Sequence, residues 1–207
     1  MKRILFQGDS LTDCSRDREN SYNKGCGYVT MVSGSLGADF PGEYEFINRG
    51  VGGNKIVDLM SRVEYDVIDL KPDYLSVLLG GNDIAKEVMY RTDPGAKRFE
   101  TLYNLYIEEI RGSLPDVKIM LLGTCLFKGP NTEKQYDEYI EQAKIFNAAT
   151  ERVAQKHNLV YVPLLEVMQK ASETAPDSYW SYDGWHPHSC GHEIIKREWL
   201  KGFEKLK

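Results

Sequence analysis

Short apolar runs alternate with amphipathic stretches five times along this chain, and that alternation restricts the fold more than any other feature of the sequence. Strands are expected at 3–7, 44–48, 74–79, 117–122 and 159–162. The run at 74–79 is apolar almost throughout, as suits a strand covered on both faces. Helices are expected at 27–36, at 55–70 with an interruption near Val63, and at 97–113, 133–156, 164–171 and 191–206. Tyr28, Val29, Val32 and Leu36 mark one face of the first helix; Leu102, Leu105, Tyr106 and Ile110 mark one face at 97–113. Turn and stop signals separate the elements: Phe40-Pro41-Gly42, Pro72 and Pro163. Loops are expected at 50–53, 80–83, 89–96 around Asp93-Pro94-Gly95, 124–132 and 176–190. Such alternation implies an α/β fold, a mostly parallel sheet with helices on both faces. With no internal repeat, linker or low-complexity segment, residues 1–207 read as one domain.

Composition excludes several roles. Hydrophobic residues make up 42% and charged residues 28%, as in an ordinary globular chain. A net charge of −5 argues against a nucleic-acid partner, which selects basic faces. No apolar run approaches the roughly 18 residues of a membrane helix, so no membrane partner is expected. Lys2-Arg3 is followed by Ile4-Leu5-Phe6 alone, too short for a signal peptide. Cys14, Cys26, Cys125 and Cys190 form no Cys-x-x-Cys pair, and reduced thiols fit a cytoplasmic protein.

Ser10, in Gly8-Asp9-Ser10-Leu11-Thr12-Asp13, stands where the first strand runs out. In open α/β sheets the crevice beyond the carboxyl ends of the strands binds ligands. A serine there is a candidate nucleophile, provided that a base and oxyanion donors reach it. Gly53 and Asn82 follow the second and third strands. If the three strands are parallel and adjacent, Ser10, Gly53 and Asn82 gather at one edge. The expected oxyanion donors are the N–H groups of Ser10 and Gly53 and the Asn82 amide. His186, in Asp183-Gly184-Trp185-His186-Pro187, is the candidate base, and Asp183, three residues earlier, its orienting carboxylate.

These blocks resemble those of the GDSL or SGNH hydrolases. The family carries its serine in Gly-Asp-Ser-Leu, then a glycine, an asparagine in Gly-x-Asn-Asp and a histidine in Asp-x-x-His. This chain has Gly8-Asp9-Ser10-Leu11, Asn48-Arg49-Gly50-Val51-Gly52-Gly53-Asn54, Gly80-Gly81-Asn82-Asp83 and Asp183-Gly184-Trp185-His186, in family order. The resemblance implies a three-layer α/β/α flavodoxin-like sandwich with five parallel strands. It implies Ser10 as nucleophile, His186 as base, Asp183 as orienter, and Gly53 and Asn82 as oxyanion donors. Within the family, Gly8-Asp9-Ser10-Leu11-Thr12-Asp13-Cys14, Gly27-Tyr28-Val29 and Lys71-Pro72-Asp73 resemble intracellular acetylxylan esterases. The expected partner is then a small ester, an acetylated oligosaccharide. A homo-oligomer is implied by the same likeness, and no cofactor or metal is required. Lysophospholipase or thioesterase activity is the alternative within the family; a non-catalytic sugar-binding module is the alternative outside enzymes.

Other residues have competing readings. Asp9 and Asp13 suit turn carboxylates, and Asp9 also joins Tyr182 and Trp185 as a candidate substrate contact. Asp83 suits an acceptor for nearby backbone, and His157 a helix C-terminus. Tyr179, Trp180, Tyr182 and Trp185 either pin their loop to the sheet or present flat rings to a sugar. His186, His188, Cys190 and His192 alternate like zinc ligands. In extended chain, however, positions two apart lie about 6.6 Å apart, too far for all four to converge at bonds of about 2.0–2.3 Å. His188 and His192 are therefore expected at the surface or at a helix start. Gly50-Val51-Gly52-Gly53-Asn54-Lys55 lacks the spacing of a phosphate-binding loop.

Overall fold

In the computed structural model, which describes residues 1–91 and 95–207, the first apolar run forms strand β1 (Lys2–Gly8). A one-turn helix α1 (Ser10–Asp13) leaves it directly, and after an irregular stretch α2 (Tyr28–Asp39) returns the chain to β2 (Tyr44–Asn48). Helix α3 (Ile56–Met60) and a π-helical turn at Glu64–Ile68 replace one continuous helix, with the expected break near Val63. Then come β3 (Tyr74–Leu78), α4 (Gly81–Tyr90), α5 (Gly95–Ser113) and β4 (Lys118–Leu122). A 3₁₀ turn, Glu133–Gln135, leads into α6 (Tyr136–Lys156). The chain ends with β5 (Val160–Val162), α7 (Leu164–Ser172), the short α8 (Asp177–Trp180) and α9 (Ser189–Glu204).

The strands pair in the order β2-β1-β3-β4-β5, and every pairing is parallel. β1 therefore lies between β2 and β3, and the carboxyl ends of all three open on one edge. Alternation along each strand builds two cores. Leu5, Leu75, Val77, Ile119 and Leu121 face α3 to α6, meeting Leu59, Tyr103, Ile107 and Phe146. Ile4, Phe6, Tyr74, Leu78, Met120 and Leu122 face the other way, against Tyr28 and Val32 of α2 and Trp199 and Phe203 of α9. Ser76 is a buried polar residue on that face, and the Trp199 indole N–H donates to its hydroxyl at 2.7 Å. The α/β/α layering is thus as expected.

Three local expectations are corrected. Residues 81–83 and 89–90 are helical, not loop: Ile84 and Val88, one turn apart on α4, are both buried. Gly95 likewise opens α5, while the rest of the expected Asp93-Pro94 turn lies outside the described residues. Leu105 is exposed; Phe99, Tyr103, Tyr106, Ile107 and Ile110 form the buried stripe of α5, rotated from the one expected. Cys190 lies within α9, one residue past its start. Among the described residues no helix is long and apolar enough to cross a membrane.

Candidate active site

The nucleophile candidate stands at a crowded corner. A Cβ on Gly8, the last residue of β1, would sit 2.2 Å from the Leu78 carbonyl oxygen and 2.5 Å from the Thr12 hydroxyl. Glycine alone lets β1 pass that close to β3 while the chain turns into α1. Asp9 caps α1, its Oδ1 accepting the Leu11 N–H at 3.1 Å. Ser10 is the first residue of the helix, beyond the carboxyl end of the sheet.

The loop after β2 is clamped beside it. Gly50 N–H donates to Asn48 Oδ1 at 2.9 Å, Val51 N–H to the Gly8 carbonyl at 3.1 Å, and Gly52 N–H to Asp13 Oδ2 at 2.9 Å. Asn54 N–H donates to the Val51 carbonyl at 3.2 Å. Gly53, at φ 81°, is the exception: its N–H has no acceptor among the described residues. Asn82, in the first turn of α4, donates through Nδ2 to the Asn54 carbonyl at 3.1 Å and to Asp9 Oδ2 at 3.4 Å. Asp83 accepts the Ile56 N–H at 3.3 Å, the backbone-acceptor role expected of it. Burial pushes its carboxyl up to about 7.

The fourth block comes from the far end of the sequence. Ser181 and Pro187 form an isolated antiparallel bridge, and the Ser181 hydroxyl donates to the His186 carbonyl at 2.9 Å. This small closed loop presents both remaining residues. His186 Nε2 lies 2.9 Å from Ser10 Oγ, and His186 Nδ1 lies 2.7 Å from Asp183 Oδ2. Asp183 Oδ1 accepts the N–H groups of Trp185 and His186, both at 2.8 Å, and Oδ2 accepts the Asn131 amide at 3.3 Å. Burial pushes this carboxyl up, but the imidazole and the two backbone donors outweigh it, so Asp183 lies below the usual carboxylate range. An ionised carboxylate only accepts. Nδ1 therefore carries the hydrogen, and the Nε2 lone pair faces the Ser10 hydroxyl.

Asn131 is a residue that sequence reading missed. The loop after β4 is laced to this one by Phe127 N–H to the Gly184 carbonyl and Asn131 N–H to the Asp183 carbonyl, both at 2.9 Å. No sequence signal pairs positions 52 residues apart; only the packing of two loops does so.

Asp9 takes the turn-carboxylate role expected of it. It is 3% exposed, and its oxygens turn to Leu11 and Asn82 rather than outward. Burial lifts its pKa to about 6. The tight turn after β1 requires the cap, and the residue also lines a cavity beside Ser10. His192 lies in the first turn of α9, a helix start as expected, but not at the surface. It is buried, accepts the Tyr28 N–H on Nδ1 at 3.2 Å and stacks on the Tyr28 ring. His188, exposed, starts α9, and the Cys190 thiol donates to the Tyr179 carbonyl. Their alternation is thus dispersed over a helix start.

Two cavities flank Ser10 and His186. The smaller, about 130 Å³, is walled by Asn82, Ala85, Thr124, Cys125 and Trp185. Trp185 is half-buried against Tyr139. The larger, about 560 Å³, is walled by Cys14, Cys26, Tyr182, Pro187 and His192. The Tyr182 ring stacks on the His186 imidazole, centroids 5.7 Å apart, and stays 58% exposed. The four aromatic residues thus divide, Trp180 and Trp185 being packed and Tyr179 and Tyr182 open to solvent.

The model of the GDSL-like Lipase/Acylhydrolase family matches residues 6–194. The acetylxylan esterase of Geobacillus stearothermophilus is 30% identical over 218 aligned positions, covering 98% of this chain and 95% of the relative. A GDSL-like lipase candidate from Parabacteroides merdae superposes with a TM-score of 0.92 at 29% identity, over 100% of this chain and 96% of the other. The crystal structure of Axe2, an acetylxylan esterase from Geobacillus stearothermophilus, gives 0.84 at 26% identity, over 97% and 93%.

Proposed function

The chain belongs to the GDSL-like lipase/acylhydrolase family of ester hydrolases, and on that footing we propose that it removes short acyl groups, acetyl above all, from carbohydrates such as xylo-oligosaccharides. Ser10 is the nucleophile. His186 Nε2, 2.9 Å away, takes the hydroxyl proton as Oγ bonds to the ester carbonyl carbon. Asp183 holds the ring and stabilises the imidazolium that forms. The oxyanion is received by the N–H groups of Ser10 and Gly53 and by Asn82 Nδ2. Of the two Asn82 hydrogen bonds, the longer, to Asp9 at 3.4 Å, is the one that gives way to the oxyanion. The imidazolium returns its proton to the departing alcohol. A water, deprotonated by the same nitrogen, then releases the acid.

The relay from Ser10 through His186 to Asp183 carries this reading. Catalytic mutants of Axe2 replace a serine, an aspartate and a histidine by alanine, with the histidine three residues after the aspartate, the spacing found here. Acyl length is argued from volume. A cavity of about 150 Å³ holds benzene, so the 130 Å³ behind Trp185 suits two to four carbons and not eight. The larger cavity, with the Tyr182 ring at its wall, suits a sugar alcohol, whose C–H face stacks on aromatic rings.

The test uses p-nitrophenyl acetate, p-nitrophenyl octanoate and acetylated xylo-oligosaccharides. Wild type is expected to cleave the acetyl ester and deacetylate the oligosaccharide, and Ser10→Ala to lose both. Full activity in Ser10→Ala overturns the nucleophile. A preference for octanoyl overturns the acyl assignment and favours a lysophospholipase or thioesterase.

A further inference from the structure

Cys14 and Cys26 take no part in this chemistry, yet both line the larger cavity beside Ser10. Their sulfurs lie 3.4 Å apart. The chain ends that carry them are already joined, since Cys26 N–H donates to the Cys14 carbonyl at 2.9 Å. Cys14 and Ser15 both hold left-handed backbone, at φ 39° and 61°, a cost that persists where the surroundings enforce it. Gly27 makes room for the Cys14 sulfur: a Cβ there would stand 2.9 Å from it. We propose that Cys14 and Cys26 are a reversible redox-modification site, closing to a disulfide at the cavity wall and pinning segment 15–25, with a low-molecular-weight disulfide as oxidant.

A disulfide needs sulfurs about 2.05 Å apart, so closure requires an approach of about 1.4 Å. Cys26 makes most of that movement. It is exposed, whereas Cys14 is hemmed by Gly27 and by His192 Nε2 at 3.6 Å. Exposure also makes Cys26 the first thiol to react. Its thiolate attacks one sulfur of oxidised glutathione; the small S–S bond breaks, and one glutathione thiolate leaves and takes up a proton. Cys14 then loses its proton and attacks Cys26 Sγ, the mixed disulfide breaks, and the second glutathione leaves as thiol. Two protein thiols lose two electrons in all, and one small disulfide becomes two thiols.

The surroundings favour the second step. Burial, together with the hydrogen bond and charge of Cys26, holds the Cys14 thiol up at about 12. Once Cys26 is bonded to glutathione, the part of that elevation due to its thiol is gone, while the part due to burial, the larger cause, stays. His192 accepts the Tyr28 N–H on Nδ1, so Nε2 carries its hydrogen and aims it at Cys14 Sγ, a donor for the thiolate. Cys125 is buried away from the pair, and Cys190 is turned to Tyr179.

The experiment is to incubate the folded protein with oxidised glutathione, count thiols, map disulfide-linked peptides and measure KM for p-nitrophenyl acetate before and after. The count is expected to fall from four to two, with one linkage joining Cys14 to Cys26. KM is expected to shift about twofold or more and to recover with dithiothreitol. In Cys26→Ser neither the linkage nor the KM response appears. Four persisting thiols, a glutathione adduct that stays on Cys26, or a linkage through Cys190 overturns the site. A formed linkage with unchanged KM overturns its coupling to the cavity. The thiol count stands whether or not the esterase reading holds, whereas the KM response rests on it.

Discussion

Replacing Asp183 by asparagine changes one atom, and the local geometry dictates which way the new amide must point. Oδ1 accepts two backbone N–H groups at 2.8 Å, from Trp185 and His186. An NH₂ placed there would face two donors, so the amide oxygen keeps that position. The NH₂ group then takes the place of Oδ2, 2.7 Å from His186 Nδ1. It donates, Nδ1 must accept, and the ring hydrogen moves to Nε2. Nε2 then points a hydrogen at Ser10 Oγ, 2.9 Å away, and cannot take the hydroxyl proton. The wrong tautomer in a triad of this geometry costs about 10⁴ in kcat, or about 5.4 kcal/mol at 1.36 kcal/mol per tenfold. Asn131→Ala removes only the longest bond to Asp183, 3.3 Å, and at about 1 kcal/mol should cost about fivefold. Initial rates of p-nitrophenyl acetate hydrolysis, with circular dichroism to confirm folding, compare the two variants. A folded Asp183→Asn enzyme within about tenfold of wild type would refute the tautomer argument.

Trp185→Ala opens the 130 Å³ cavity, so the ratio of octanoyl to acetyl kcat/KM should rise about tenfold or more; an unchanged ratio places the acyl group elsewhere. Asp83 has its folded-state pKa raised by burial to about 7 from 3.8, so between those values the folded chain holds a proton that the unfolded chain has released, and its contribution to stability falls as pH rises through that window. Asp83→Asn should therefore gain in Tm relative to wild type between about pH 4.5 and about pH 8, and a gap that does not change with pH contradicts the assignment.

Much of this was legible in the linear text because it rests on short-range rules. Apolar runs such as 74–79 read as covered strands, and β-strand alternation sends Leu5 and Phe6 to opposite cores without reference to anything distant. Gly8, Ser10, Gly53 and Asn82 were each visible as residue types suited to their places after strands, and Asp183 and His186 as a spaced pair in a loop before the last helix. Helix α4 was not, because Gly80-Gly81-Asn82-Asp83 reads as turn, and the burial of Ile84 and Val88 against other helices overrides that local preference. The contact of Asp9 with Asn82 was not legible either, since the two stand 73 positions apart.

The sequence alone determined the succession of strands and helices along the chain, the α/β class and the candidate reactive side chains, since periodicity and local turn chemistry act over a few residues. Tertiary structure alone decided that β1 lies between β2 and β3, that a hydroxyl and an imidazole 176 positions apart meet at 2.9 Å, and that Asn131 and His192 come inside. Those outcomes depend on how sheets and loops pack, and packing is settled only by contacts between segments that carry no record of one another.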